Sequence, residues 1–135
     1  MGLALKPKRM TGLRFSFLIG GMLALSAASS LHAQSVQHSS WRGYYPSIHD
    51  TVILSFGEDS ALVMTPTHVP VLQSGFKLKG DLISFHDSGG MNACKDLGGS
   101  YHVRVEADTL TLVMAEDPCD VRAGLLIIKP WVRVR

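Results

Sequence analysis

The sequence predicts an all-β chain: a small antiparallel up-and-down β-barrel of about seven or eight strands, with at most one short helical turn. Three observations carry that expectation. Short runs alternate apolar and polar residues, the period of a half-buried strand. Turn-forming residues separate these runs at close intervals. No stretch beyond the N-terminal segment carries the apolar spacing of a long helix.

The first 33 residues stand apart from this pattern. Lys6, Lys8, Arg9 and Arg14 precede an apolar run from Phe15 to Ala28, followed by Ser29-Ser30-Leu31-His32-Ala33. A basic start, a short apolar core and a small residue before a polar stretch make an export signal. Cleavage is expected after Ala33, with Ala28 as the alternative. A membrane anchor needs about 20 apolar residues, and Gly20, Gly21 and Ser26 interrupt this run. The mature protein is therefore expected in the periplasm or secreted, and free of the membrane.

Residues 34–50 hold a polar segment and then Trp41-Arg42-Gly43-Tyr44-Tyr45, read either as a first strand or as an aromatic plug beneath the core. The barrel domain proper is expected over 51–135. Thr51–Phe56 is β-branched and aromatic, Gly57-Glu58-Asp59-Ser60 is a turn, and Ala61–Met64 returns as the partner strand. Pro66 and Pro70 lack backbone donors, so that segment is an edge, a bulge or a crossing loop. Val71 and Leu72 then resume pairing.

Two hairpins follow, and they organise the chain. Gly75–Phe85 turns at Gly80-Asp81 and runs on to Cys94; Ser100–Leu112 turns at Ala107-Asp108 and runs on to Cys119. Alternation points Phe76, Leu78, Ile83 and Phe85 inward, with Tyr101, Val103, Val105, Leu110, Leu112 and Met114. Lys77, Lys79, Ser84, His86, His102, Arg104 and Glu106 then face solvent. Asp117-Pro118 signals a helix start, with a turn or two expected through Arg122. Leu125–Ile128 is apolar on both faces, and Lys129–Arg133 closes the chain with Pro130 leaving the facing of the last strand open.

The cysteines join these hairpins. Both follow the return strand of a hairpin, and in an up-and-down sheet the two return strands run in the same direction. The chain thus leaves both hairpins at one end of the barrel, where a Cys94–Cys119 disulfide can form in an exported, oxidising compartment.

Charge narrows the partners. After removal of residues 1–33, 9 basic and 11 acidic residues remain, a net charge of 9 − 11 = −2. A mildly acidic domain without a basic cluster is a poor match for nucleic acid.

Several motifs in this order are similar to those of small exported bacterial lipocalin-like (calycin-type) domains. They are Gly75-Phe76 with Lys79–Phe85, Ala93-Cys94, Gly99-Ser100-Tyr101, Asp108–Leu112, Asp117-Pro118-Cys119 with Arg122, and Pro130–Arg133. The resemblance covers about Thr51 to Arg133 and implies a compact antiparallel barrel. True lipocalins carry glycine two residues before the first tryptophan; Ser39 stands there before Trp41.

Chemistry-bearing residues form no recognisable constellation. His49-Asp50 and His86-Asp87 put carboxylate beside imidazole, but adjacent strand residues face opposite ways. His38, His68 and His102 complete the histidines after position 33, and no spacing among them matches a metal motif. No serine sits in a glycine-flanked elbow. Asp117 with Arg122 suggests an anion site at a helix start, weighed against a capped turn with a salt bridge, which is the favoured reading. No catalytic residue, metal or cofactor is assigned.

Two functions are expected from different classes. The first is a binding module for a small apolar ligand, lined by Tyr44, Tyr45, Phe76 and Tyr101. The second is a protein-interaction module, such as an inhibitor of an extracellular hydrolase, acting through loops such as Pro66–Pro70. A monomer is expected for either. An open barrel interior favours the first and a packed one the second.

Overall fold

A computed structural model describes Gly2, Ala4 and residues 36–135. Apart from Gly2 and Ala4, the expected export signal and its cleavage point lie outside the described residues. The chain forms eight strands: β1 Ser40–Tyr45, β2 Asp50–Phe56, β3 Ser60–Met64, β4 Pro70–Lys79, β5 Leu82–Gly89, β6 Gly99–Glu106, β7 Thr109–Glu116 and β8 Trp131–Arg133. Each pairs antiparallel with its neighbours in sequence, and β8 pairs with β1 to close the barrel. Trp41–Tyr45 is thus a strand and not a plug. No helix among the described residues is long and apolar enough to cross a membrane.

Chain direction sorts the connections into two ends. At one end lie three short turns, Gly57–Asp59, Gly80-Asp81 and Ala107-Asp108, which join β2–β3, β4–β5 and β6–β7. The other end collects the long connections: a 3-10 turn at Pro46–Ile48, residues 65–69, residues 90–98, and the stretch after β7 with its helix α1, Asp120–Leu126. We call this the cap end. Both expected central hairpins are present, with Gly80 and Ala107 in the left-handed region that two-residue hairpin turns require.

The inward residues merge into a single core. Trp41, Trp131, Tyr101, Phe85, Leu54 and Leu110 are all fully buried. Phe56 meets Phe76, and Phe85 meets Tyr101, in edge-on pairs with ring centroids 5.5 and 5.7 Å apart, a favoured aromatic geometry. Ser39 joins this core: its hydroxyl accepts a 2.8 Å bond from the Trp41 indole N–H and donates to the Val36 carbonyl. On that same inner face, Arg133 pairs in register with Trp41, and its guanidinium lies 4.4 Å from the Trp41 ring centre.

Most expected facings hold, and two regions differ. Met114 lies across from Tyr101 in register but is 49% exposed. Met114 has a strand partner on one side only, since β8 reaches no further than Thr109 and Leu110, and it lies beside the register shift at Ser100/Tyr101. At the C-terminus the helix runs past Arg122 to Leu126, so Leu125 and Leu126 bury from a helix and not from a strand. Their spacing with Arg122, three and four residues on, makes one inward stripe. The helix start also differs from expectation. Cys119 is the cap residue, and Asp117 lies two positions ahead of it, accepting the Cys119 N–H at 2.8 Å.

Two bulges adjust the long strand β4. The register shifts opposite Val63/Met64 and again at Gln73/Ser74, which lets the consecutive Val71 and Leu72 both bury. This is where the segment from Pro66 to Pro70 hands over to pairing: Pro70 opens β4, and the residues before it form the loop.

Gly43 is required by close approach. A β-carbon there would meet Trp131 at 2.8 Å and Ile128 at 2.9 Å. Gly43→Ala should therefore lower stability by about 1–3 kcal/mol, the usual cost of overpacking a filled core. The measurement is the urea midpoint, and an unchanged midpoint would show that the Trp131 contact yields.

Candidate functional site

Among the described residues the most elaborate polar arrangement lies at the cap end, and α1 builds it. Arg122 sits on the inward stripe of this helix, so its guanidinium enters the barrel where water is excluded. Four hydrogen bonds receive it. Nε donates to Asp117 Oδ2 at 2.8 Å and Nη2 to Asp117 Oδ1 at 2.6 Å, a side-on fork. Nη1 donates to Asp87 Oδ2 and to the Leu97 carbonyl, both at 2.8 Å. The side chains of Arg122, Asp87 and Asp117 are all fully buried.

The sheet supplies the rest. Asp87 continues the inward parity of Ile83 and Phe85 on β5, so the alternation that buries those apolar residues also buries a carboxylate. Its Oδ2 also accepts the Cys94 N–H at 2.8 Å. Its Oδ1 has no hydrogen-bond partner among the described residues, an unsatisfied position that costs stability. Tyr101, from β6, donates its hydroxyl to Asp117 Oδ2. Cys94 and Cys119 form a disulfide with Cα atoms 6.1 Å apart, and the N–H of each bonds to one of the two aspartates. Cross-link and ion cluster therefore hold the same two connections.

Electrostatics follow from this crowding. Burial alone would push the Asp117 carboxyl up, but bonds from Arg122, Tyr101 and the Cys119 N–H outweigh it and hold the group below its ordinary value. Burial and the adjacent Asp117 carboxylate together raise the Tyr101 phenol. For Arg122 burial favours the neutral form, yet the bonds to Asp117 and the nearby Asp87 prevail and raise it. The cluster is thus an ion network and not an anion receptor, since two carboxylates already occupy the guanidinium.

The four residues expected to line a ligand site do not converge. Tyr101 is in the core with its hydroxyl on Asp117. Phe76 and Tyr45 are 5% and 8% exposed, and the Tyr45 hydroxyl accepts from Asn92 Nδ2 at 2.7 Å. Tyr44 points out and is 55% exposed. Two surface hollows touch this set. One, of about 260 Å³, lies over Gly75 between Asp59, Phe76, Lys77 and His86. The other, of about 270 Å³, lies between Tyr44, Pro46 and residues 124 and 127–129.

The histidines remain separate. His38, His49 and His68 take left-handed backbone conformations in turns, His86 packs under Gly98, and His102 lies 3.3 Å from Asp81 at the surface. Among the described residues no three His, Cys, Asp or Glu side chains are placed to hold a metal ion. The chain matches no protein-family model, and neither a curated protein nor a solved structure matches it.

Asp87, the Tyr101 hydroxyl and the Leu97 carbonyl are the members of the cluster that sequence reasoning missed, Tyr101 having been expected to line a ligand site. The parity of β5 was the available signal, because a carboxylate on an inward position requires a buried partner.

Truncating Arg122 to Leu should cost about 3–5 kcal/mol, because two buried carboxylates lose their counter-charge. Chemical unfolding at pH 7 measures this, with Tyr101→Phe as the milder probe at about 1–2 kcal/mol. Because the folded Asp117 carboxyl is held low, its contribution is complete above the unfolded value of about 4. It is lost as pH falls from there through the folded value, since the unfolded chain binds the proton first. Wild-type stability should decline on that acid limb by up to about 1.4 kcal/mol per pH unit for this proton. Asp117→Asn should start lower at pH 7 and decline less steeply.

Disulfide reduction should remove about 3–4 kcal/mol by the chain-entropy account for a bridge spanning 25 residues. The urea midpoint should fall with the circular dichroism of the fold unchanged. Two thiols alkylated in the unreduced, denatured protein would show that the bond does not form.

Proposed function

We propose that the chain is an exported, lipocalin-like protein-interaction module, in which the barrel is a rigid scaffold and not a container. The observation that carries this reading is the filled interior. Trp41, Trp131, Tyr101, Phe85 and Arg122 occupy the space that a ligand-holding barrel leaves free. The closed eight-stranded barrel is compatible with the lipocalin-like resemblance. The disulfide fits an oxidising compartment.

The cap end is the favoured contact surface. Val69, Met91, Leu97 and Val121 are exposed there, from three segments: residues 65–69, residues 90–98 and α1. Bonds bring these segments together: Met91 N–H to the Pro70 carbonyl, Asn92 Nδ2 to the Val121 carbonyl, and Arg122 to the Leu97 carbonyl. The disulfide and the ion cluster stiffen this surface from beneath, so little ordering entropy remains to be lost on binding. The loop from Pro66 to Pro70 contributes its edge.

The small-ligand reading has Tyr44 and its hollow in its favour. At about 270 Å³ that hollow falls just short of the roughly 300–1,000 Å³ of ordinary ligand pockets. It also lies outside the barrel.

Titration against a panel of exported proteases and glycosidases tests the proposal. Dose-dependent inhibition of at least one enzyme is expected, abolished by Met91→Asp with Val121→Asp while the urea midpoint holds. An apolar fluorescent probe should fail to saturate a single site. One-site probe binding weakened by Phe76→Ala or Tyr101→Ala, with no enzyme inhibited, would overturn the reading in favour of the ligand module.

A further inference from the structure

We infer that the hollow between Tyr44 and α1 is an anchor pocket, which takes one aromatic side chain of a partner protein flanked by a carboxylate. This rests on the interaction reading above and deepens it, by naming the chemistry that the cap end recognises. The hollow holds about 270 Å³ and is lined by Tyr44, Pro46, Gly124, Ile127, Ile128 and Lys129. Pro46 opens the 3-10 turn at the cap end, and Gly124 follows the exposed Val121 by three residues on α1. That spacing puts the two on one face of the helix. The hollow therefore continues the surface that Val121 begins.

Gly124 is the observation that carries the inference. It stands inside α1, three residues before the cap residue Ile127, and its backbone is not left-handed. Neither a tight turn nor a helix cap calls for glycine there. Packing does not call for it either, because a β-carbon at this position would meet no atom within 4 Å. Glycine inside a helix is destabilising relative to alanine, and no contact among the described residues explains its presence. Its effect is to leave helix backbone bare as one wall of the hollow. Such a wall lets a flat group approach closely.

The remaining walls specify the occupant. Tyr44 points away from the core and offers its ring for stacking. Pro46 and the exposed Ile127 keep the lining apolar. Lys129 is the charged member of the lining and makes no ion pair among the described residues. A ring against Tyr44 and Gly124, with a carboxylate beside Lys129, meets both requirements. The volume is below that of ordinary ligand pockets, which suits a single side chain that the rest of a partner holds in place. A second copy cannot supply that side chain. Tyr44 is the only exposed aromatic residue among those described, and it is already a wall.

The test is a blocked tetrapeptide of glycine, phenylalanine, aspartate and glycine, titrated into the oxidised protein and followed by amide NMR. Saturable shifts at Tyr44, Gly124, Ile127 and Lys129 are expected, with a dissociation constant on the order of 1 mM. Gly124→Ala should raise the urea midpoint, since alanine is the better helix former, while weakening binding about ten-fold by filling the wall. Tyr44→Ala should weaken binding about five-fold. Lys129→Gln, or asparagine in place of the peptide aspartate, should each weaken it about three-fold and remove its salt dependence. Three results would each overturn the pocket: no saturation by about 10 mM, wild-type binding by Gly124→Ala, or equal binding of the asparagine peptide. If enzyme inhibition through Met91 and Val121 survives such a failure, the interaction reading stands and only the anchor is lost. If no enzyme is inhibited yet the peptide binds as described, the Met91 and Val121 surface is lost and the pocket stands.

Discussion

A single buried guanidinium holds the cap end of this barrel together. Arg122 bonds to a carboxylate on β5, to a carboxylate between β7 and α1, and to a carbonyl in the β5–β6 connection. Burying such a charge is costly unless every partner is in place. The cost is met here only when strands, loop and helix arrive together. An arrangement of this kind adds little net stability over an apolar core, but it penalises any packing in which one partner is displaced.

The disulfide and the ion cluster act on the same connections by different physics. Cys94–Cys119 restricts the unfolded chain, and its effect does not depend on charge. The cluster acts in the folded state, and its strength depends on ionisation. With both present, the two longest connections of the molecule are each tied to the barrel at several points. That is unusual for loops, which are ordinarily the loosest parts of a domain, and it makes the cap end suited to presenting a fixed surface.

At the other end, and along the β1–β8–β7 seam, closure is achieved with much less. β8 contributes three residues, anchored by Trp131 in the core, by the Gly43 contact, and by Arg133 across Trp41. Its shortness closes the barrel at the turn end and leaves β7 half unpaired toward the cap end. The well-held cap and the short last strand are consequences of one chain layout, in which residues after α1 must return to β8 in a few steps.

The sequence by itself determined the strand order, both central hairpins and the pairing of the two cysteines. These depend on local alternation and on chain direction, which are readable without the third dimension. It also contained Asp117 and Arg122 as a capped turn with a salt bridge; the fork between them agrees with the salt bridge, while the cap itself falls at Cys119. Tertiary structure alone decided that Asp87 joins them, because residues 35 apart in sequence meet only after the barrel closes. It decided as well that Leu125 and Leu126 bury from a helix, since a short run of apolar residues suits a strand or a helix equally until its neighbours are known. The same holds for Tyr45, Phe76 and Tyr101. Parity places an aromatic side chain inside, but only the packing of two tryptophans and an arginine around it decides whether that inside is a cavity or a core.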